Sequence, residues 1–324
     1  MLIFSIVAFV VDYTLSSFFH NTTSTSDSES SHASITNCDY NIKRMTGFKF
    51  VKPILWVDEN CESDNLAGTK QKVVEIIVRH KQTEGVTSAS VLIRSSEKWA
   101  VVNENEKYEL GSLFKVPVLI AILKINEDNP GFLNKTVVYD KALDAGKKVN
   151  FPSKSIKLGQ SYTIRELLTY MIRNSDNEAT MLLERNMDNK VFQKLFADVG
   201  LEVPNVYASE YLFTVKDYSL FMRTIFNAGY LTIKNSEYAA ELLTECDFKE
   251  GIAEGIPTNI KMAHKFGEAG NDNEKQLHES AIVFLDKKGY LLTVMTKGND
   301  MKKLSNLIGE ISRVVYNHIS SVSE

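Results

Sequence analysis

The sequence contains only three cysteines, Cys38, Cys61 and Cys246. This is too few for a disulfide scaffold, and the odd number leaves at least one thiol unpaired or joined to another molecule. Cys38 and Cys61 either form a bridge outside the cell or remain two free thiols, and the sequence leaves both alternatives open. Because the cysteines form no Cys-x-x-Cys pair and the six histidines have no metal-ligand spacing, we expect no metal ion.

The chain also lacks a basic surplus, since 37 lysines and arginines stand against 41 aspartates and glutamates and the net charge is -4. This balance argues against nucleic acid as a partner. No Gly-rich phosphate loop, dinucleotide fingerprint or G-x-S-x-G elbow is present, so we expect no nucleotide cofactor and not the common esterase fold. A mean hydropathy of -0.16 with one short apolar run excludes a polytopic membrane protein. What remains is a globular chain of 324 residues, long enough to bury a full-sized core.

No lysine or arginine precedes Lys43, yet the chain begins with the apolar run LIFSIVAFVV at residues 2–11. The run has the length of a signal-peptide core, and Asp12 interrupts it before it can cross a bilayer. The missing basic start and cleavage site leave a buried strand or a misassigned start as the alternative. Residues 20–37 have the serine- and threonine-rich composition of a flexible tether. We therefore predict a signal or anchor at residues 1–19 and an exported or membrane-anchored, extracytoplasmic protein.

Hydrophobic periodicity predicts a mixed α/β domain of the α+β type over residues 66–320, preceded by an N-terminal extension at 38–65. Apolar residues recur at helical spacing near both ends of this domain, and each terminal helix is next to a pair of β-rich runs joined by a turn. The turns are at residues 95–98 and 286–289, while residues 115–259 are mostly helical in pattern. The simplest architecture is one antiparallel sheet built from both chain ends, flanked by helices, with an inserted all-helical lobe and a cleft between the lobes.

Three short segments near this predicted cleft carry residues suited to catalysis. In the first, GSLFKVP at residues 111–117, Ser112 and Lys115 are one helical turn apart and therefore share a face. A serine hydroxyl becomes a good nucleophile when a base takes its proton, and a buried lysine amine can be that base. The alternative is a helix N-cap, and chance also produces this spacing, as at Ser95 and Lys98.

The second segment is Ser175-Asp176-Asn177, followed by Glu178. All three residue types are preferred helix caps, so a helix that begins at Glu178 is the structural alternative. In a catalytic interpretation, Ser175 relays a proton to a leaving group, while the Asn177 amide binds substrate and orients the lysine.

The third segment is HKFGE at residues 264–268, expected on an edge strand that faces the cleft. Lys265 would attract a carboxylate, Gly267 would let the substrate backbone approach, and a following backbone N–H would stabilise an oxyanion. The alternative is an exposed strand end.

Together, and in this chain order, the segments resemble the S-x-x-K, S-D-N and K-T-G motifs of the serine β-lactamase and penicillin-binding-protein superfamily, in particular its class A-like members. The resemblance covers residues 66–320 and implies a five-stranded sheet. It also implies an acyl-enzyme at Ser112, with Lys115 as the base, Ser175 as the proton relay and Lys265 as its electrostatic partner. The oxyanion would lie between the backbone N–H groups of Ser112 and Glu268.

Two departures from the family pattern bear on this prediction. Phe266 replaces the threonine or serine whose hydroxyl binds the substrate carboxylate. His264 is a candidate for a partial substitute, and the alternative, which is the more common case for a histidine at a strand end, is a surface residue. The Glu-x-x-x-Asn pattern that supplies the deacylating base is also missing, and Glu210 or Glu202 is a candidate for a displaced base.

Three functions remain open: a β-lactamase, a D,D-peptidase or esterase that transfers acyl groups from cell-wall peptides, and a cell-envelope binding protein without turnover. The intact Ser112, Lys115, Ser175 and Asn177 argue against the third, because a decayed site should first lose its costly buried lysine. We expect a monomer that acts on a β-lactam or peptidoglycan-type peptide.

Overall fold

The computed structural model describes residues 38–143, 150–203, 212–285 and 289–321. The predicted signal segment, tether and Glu210 lie outside these residues, as does most of the turn at 286–289. The strands are β1 (Tyr40–Arg44), β2 (Ile54–Glu59), β3 (Val86–Ser95), β4 (Lys98–Val102), β5 (Tyr108–Glu109), β6 (Thr136–Val138), β7 (Ser161–Thr163), β8 (Leu212–Phe213), β9 (Met262–Gly270), β10 (Lys275–Phe284) and β11 (Gly289–Gly298). The helices are α1 (Ala67–Thr83), α2 (Lys115–Asp128), α3 (Ile164–Arg173), α4 (Asn177–Asn186), α5 (Asn189–Val199), α6 (Val215–Phe226), α7 (Ile233–Thr244) and α8 (Met301–Ser321).

The central sheet has five antiparallel strands in the order β4-β3-β11-β10-β9. It combines strands from both ends of the domain, which confirms the predicted α+β class and sheet. Successive side chains of a strand point to opposite faces, and β3 follows this rule. Val91 and Ile93 pack with α1 and α8, whereas Leu92 packs with the helical lobe.

Local sequence signals explain how the elements near the cleft begin. A reciprocal capping box starts α3, in which Thr163 Oγ1 accepts from Glu166 N at 3.2 Å and the Glu166 carboxylate accepts from Thr163 N at 2.7 Å. Thr214 and Asp217 form the same motif at the start of α6. Because the strands β6, β7 and β8 have only two or three residues each, periodicity did not predict them.

The N-terminal extension forms a hairpin, β1–β2, that a disulfide closes at its base. Cys38 and Cys61 are bonded, with their Cα atoms 5.6 Å apart, while Cys246 is a buried free thiol. Disulfides persist mainly in oxidising compartments. Among the residues that the structure describes, no helix is both long and apolar enough to cross a membrane.

Candidate active site

A short 3-10 turn, Gly111–Phe114, leads into α2 and carries Ser112 at its second position. Lys115 is the first residue of α2 and is 3% exposed. Its Nζ donates to Ser112 Oγ at 2.6 Å and to Asn177 Oδ1 at 2.7 Å. Phe114 occupies the N-cap position of α2 without a side-chain cap bond, so Ser112 does not serve as the cap.

In the S-D-N segment, one residue caps a helix and the other two face the cleft. Asp176 is the N-cap of α4 and accepts from Glu178 N at 3.0 Å. This leaves the side chains of Ser175 and Asn177 facing the two lysines. Ser175 has a φ of +53°, a left-handed conformation that is uncommon for a residue other than glycine.

The edge strand β9 borders the site together with the 3-10 turn and the S-D-N segment. Lys265 is fully buried, and its Nζ donates to Ser175 Oγ at 2.9 Å and to the Phe266 carbonyl at 3.1 Å. Lys115 Nζ also lies 3.5 Å from Ser175 Oγ. A continuous chain of polar contacts therefore joins Ser112, Lys115, Ser175 and Lys265.

Two buried lysines share this site, and the positive charge of Lys265 disfavours a charge on Lys115. Burial, and next the positive charge of Lys265, hold the pKa of Lys115 well below its usual range. Burial also lowers the pKa of Lys265, against the raising effect of nearby negative groups, of which Cys246 is the largest. A neutral amine on Lys115 is able to accept the proton of a serine hydroxyl.

Two glycines allow the nucleophile turn and β9 to approach each other. A Cβ on Gly111, whose φ is +51°, would lie 2.0 Å from the Glu268 carbonyl oxygen. A Cβ on Gly267 would lie 2.5 Å from the Leu110 carbonyl oxygen. Side chains at either position would separate the backbones of Ser112 and Glu268.

The nucleophile turn with α2, the S-D-N segment and β9 border a cleft of about 630 Å³. Of the predicted site residues that the structure describes, those that line it are Ser112, Lys115, Ser175, Asn177, Phe266 and Glu268, whereas Lys265, Gly267 and His264 do not. A family model described as the β-lactamase enzyme family matches residues 68–319 of the sequence. The chain belongs to this β-lactamase family.

Solved structures agree with this assignment at the level of the fold. An acyl-enzyme complex of a PBP-A variant with penicillin G is 19% identical, with 79% of this chain and 98% of that chain covered and a TM-score of 0.66. A β-lactamase from Sphaerobacter thermophilus is 17% identical, with coverages of 78% and 97% and a TM-score of 0.67. A class A β-lactamase from Bacteroides cellulosilyticus is 18% identical, with coverages of 78% and 99% and a TM-score of 0.66. A comparison with curated protein sequences gives no match.

In this β-lactamase-family chain, Phe266 belongs to an aromatic cluster at the wall of the cleft. Its ring stacks on Phe248 with centroids 4.2 Å apart and meets the edge of Phe151 at 6.0 Å. The Lys265 ammonium lies 4.1 Å from the Phe266 ring centroid. The cleft is therefore apolar at the position where the K-T-G motif has a hydroxyl.

His264 lies away from the cleft, contrary to the interpretation that it helps to bind a carboxylate. It is 1% exposed, and its Nδ1 lies 2.7 Å from Glu279 Oε1. Burial acts to lower the pKa of His264, but Cys246 and Glu279 together raise it to about 9. Successive residues of β9 point to opposite faces of the strand, which separates His264 from its neighbour Lys265.

The acidic side chains of the cleft also form contacts that the sequence motifs did not indicate. The Glu268 carboxylate accepts from Asn150 N and Nδ2, both at 2.7 Å, and from Phe151 N at 3.2 Å. Glu178 Oε2 accepts from Tyr139 OH at 2.6 Å. These pairs join residues distant in sequence, so no spacing rule would have found them.

None of the acids that line the described part of the cleft has a hydrogen bond to Ser112. They are Asp176, Glu178, Glu268 and Asp272. Glu202 is exposed and does not line the cleft. Within the described residues, no group of three or more His, Cys, Asp or Glu side chains is arranged to hold a metal ion.

Proposed function

We propose that this chain is a serine hydrolase that forms an acyl-enzyme at Ser112 with a β-lactam or a related amide. The observation that supports it is the 2.6 Å contact between Lys115 Nζ and Ser112 Oγ. Burial holds the pKa of this lysine well below its usual range, so its neutral amine is available as a base at a lower pH than the amine of an exposed lysine.

In the proposed reaction, Ser112 Oγ attacks the amide carbonyl while Lys115 takes the hydroxyl proton. The new Oγ–C bond forms a tetrahedral intermediate, whose oxyanion accepts hydrogen bonds from the backbone N–H groups of Ser112 and Glu268. When the C–N bond breaks, Ser175 passes a proton to the departing nitrogen, and Lys115 resupplies Ser175. The 2.9 Å contact of Lys265 with Ser175 favours this relay.

The remaining cleft residues would position the substrate. The Asn177 side chain already accepts from Lys115, and its amide nitrogen remains to bind a substrate carbonyl. Gly267 does not line the cleft, and its lack of a side chain lets the nucleophile turn approach β9. Because Phe266 has no hydroxyl, a substrate carboxylate would rely on cations, and Lys154 and Lys275 also line the cleft.

The second candidate is an acyl-transfer enzyme of the D,D-peptidase or esterase kind, which releases its acyl group slowly. It is favoured because three of the four acids that line the described cleft, Asp176, Glu178 and Glu268, already accept hydrogen bonds from protein groups. Glu210 remains a candidate for the water-activating base in the first proposal. A binding protein without turnover is the third candidate, and the intact lysine contacts argue against it.

We propose an extracytoplasmic location, supported by the Cys38–Cys61 disulfide, which is typical of oxidising compartments. The apolar run at residues 2–11 would be the export signal or membrane anchor. The proposed substrates are a β-lactam or a peptidoglycan-type peptide, and the proposed state is a monomer without a cofactor.

Intact mass, followed over time after mixing with a penicillin, tests the proposal. Ser112→Ala removes the nucleophile, and Ser95→Ala is the matched control, because Ser95 has the same spacing to a lysine in a hairpin turn. A Ser112-dependent adduct that vanishes as penicillin is consumed supports a β-lactamase. A persistent adduct supports the slow-release enzyme, with peptides ending in two D-alanines as the next substrates. If the folded protein shows neither adduct nor hydrolysis, the proposal fails for β-lactams.

A further inference from the structure

The β1–β2 hairpin lies outside the part of the chain that matches the β-lactamase family, which begins at residue 68. Residues 40–57 contain four cationic side chains and no acidic one, in a chain whose net charge is -4. The cations are Lys43, Arg44, Lys49 and Lys52. With Asp58 and Glu59 at the end of β2, the hairpin from residue 40 to residue 59 has a net charge of +2, and all four cations lie before its acids.

The same hairpin carries many exposed apolar side chains. In the described part of the chain, half of the exposed large hydrophobic residues belong to it: Tyr40, Ile42, Phe48, Phe50, Val51, Ile54 and Val57. Phe50 is the extreme case, with 87% of its surface exposed. Monomeric soluble proteins rarely leave such residues contiguous unless the surface contacts something.

These side chains are exposed on a hairpin that is firmly attached to the domain. Its inward side buries Leu55 and Trp56. Arg223 Nη1 donates to Asp58 Oδ1 at 2.6 Å, and Nη2 donates to the Val57 carbonyl at 2.8 Å. With the disulfide at its base, the hairpin presents its outward face in a fixed position.

The register of the two strands places the apolar residues together. Ile42 is paired with Val57 in β2, and Tyr40 lies two residues before Ile42, on the same face of β1. The loop that joins the strands, residues 45–53, adds the exposed Phe48 and Phe50 at the tip of the hairpin. The Lys49 ammonium lies 4.9 Å from the Phe50 ring centroid, so charge and aromatic surface are adjacent at the tip.

We propose that the β1–β2 hairpin docks on an anionic lipid surface, with Phe48, Phe50 and Val51 inserted and Lys49 and Lys52 contacting headgroups. Aromatic and aliphatic groups beside cations are the composition that binds membrane interfaces. A soluble polyanion would pair with the lysines but would offer no apolar phase to the rings. A second copy of this positively charged face would repel the first. Among the elements that the structure describes, the hairpin is also the nearest in sequence to the apolar run at residues 2–11.

A fluorescent probe at the tip tests this proposal in the full chain. In Val51→Cys, the new thiol is the accessible one, because Cys246 is buried and the other two cysteines are bonded. Labelled with the environment-sensitive dye NBD, the protein is mixed with vesicles of phosphatidylcholine, with and without phosphatidylglycerol. Probes at Val78→Cys in α1 and Ile233→Cys in α7 report on exposed sites elsewhere. The local probe separates tip insertion from any attachment through residues 1–37.

We expect a blue shift of the Val51 probe, and quenching by lipid-borne nitroxides, with the anionic vesicles only. Replacing Lys49 and Lys52 by glutamate should weaken tip insertion roughly thirtyfold or more, since each lost cation contributes about fivefold near an anionic surface. Replacing the exposed Lys190 and Lys234 by glutamate changes the net charge of the protein by the same amount. This control should leave tip insertion unaltered.

Four results would overturn the proposal. The first is no shift with any vesicle, or an equal shift with neutral ones. The second is a shift without lipid that grows with protein concentration, which would indicate a second copy. The third is a probe that is already shielded and is released by deleting residues 1–37, which would indicate that the chain covers its own hairpin. The fourth is an equal shift with soluble polyglutamate.

Discussion

Gly111 and Glu268 are in backbone contact, because a Cβ on Gly111 would come within 2.0 Å of the Glu268 carbonyl oxygen. This contact brings the nucleophile turn against the edge strand, and with it the two N–H groups proposed to bind the oxyanion. The alignment of these groups depends on the lack of a side chain at position 111.

Gly111→Ala should therefore slow acylation of Ser112 about a hundredfold, the effect expected when reacting groups are displaced by about 1 Å. The measurement is the rate of adduct formation by intact mass. Gly131→Ala is the matched control, since Gly131 also has a positive φ but an added Cβ meets nothing within 4 Å. Equal rates for Gly111→Ala and the unmodified protein would mean that this contact does not align the site.

Lys115→Met should slow acylation strongly and stabilise the fold. Loss of the base removes a factor of about 10² to 10⁴ in rate. Because folding lowers the pKa of Lys115, this residue destabilises the folded protein at every pH below its unfolded pKa. Removing it should raise the free energy of unfolding by about 0.5–2 kcal/mol at pH 7, as at other functional sites.

Urea unfolding and intact mass measure the two effects of this substitution. Lys124→Met, in the same helix but partly exposed, should leave acylation intact without a gain in stability. The low pKa of Lys115 also predicts that the acylation rate of the unmodified protein reaches its plateau well below pH 10.5. A rate that still rises steeply at that pH would exclude Lys115 as the base.

Phe266→Thr should improve the binding of substrates that carry a carboxylate, because it restores a hydroxyl donor at the cleft wall. A hydrogen bond to a charged group contributes about 1.5–3 kcal/mol, so KM should fall tenfold or more. The variant should also lose about 3 kcal/mol of stability, since Phe266 stacks on Phe248 at 4.2 Å.

Two comparisons separate these effects of Phe266→Thr. Phe248→Thr disrupts the same stack but does not place a hydroxyl at the cleft, because Phe248 is not among the lining residues. It should destabilise the protein without lowering KM. A substrate whose carboxylate is esterified should gain nothing from Phe266→Thr, and an equal gain would attribute the effect to shape alone.

Much of the fold could be predicted because its signals are local. The buried residues of α1 include Val73, Ile76 and Ile77, the apolar stripe seen in the sequence. The hairpin turn at residues 95–98 separates β3 from β4 as expected. The five-strand count came from the family resemblance, since the edge strand β9 has no clear alternation of polar and apolar residues.

The site was predictable to the extent that its residues lie in short motifs. The spacing of Ser112 and Lys115 directly indicates a shared face, whereas the contact of Lys265 with Ser175 joins residues 90 positions apart. The burial of His264 could not be predicted, because it depends on Glu279 in the neighbouring strand β10. Pairing partners across a sheet are determined by tertiary packing, which a single sequence does not specify.

His264 and Glu279 form a buried pair next to Lys265, and their titration provides a final prediction. His264 should remain protonated at pH 7, with a pKa of about 9. Buried His278, whose pKa burial lowers to about 3, should be neutral at the same pH. Side-chain NMR of the histidine rings between pH 5 and pH 10 distinguishes the two.

Glu279→Gln should lower the pKa of His264, because a carboxylate that favours the imidazolium is removed. The buried charge that remains would destabilise the protein by about 3–5 kcal/mol. It should also lower the pKa of Lys265, whose ammonium Glu279 favours. Since proton transfer through Ser175 depends on that ammonium, acylation should slow at alkaline pH when Lys265 loses its proton. In Glu279→Gln, this decline should begin at a lower pH than in the unmodified protein. An unchanged alkaline limb in a folded Glu279→Gln variant would show that this pair supports β9 without influencing the proton relay.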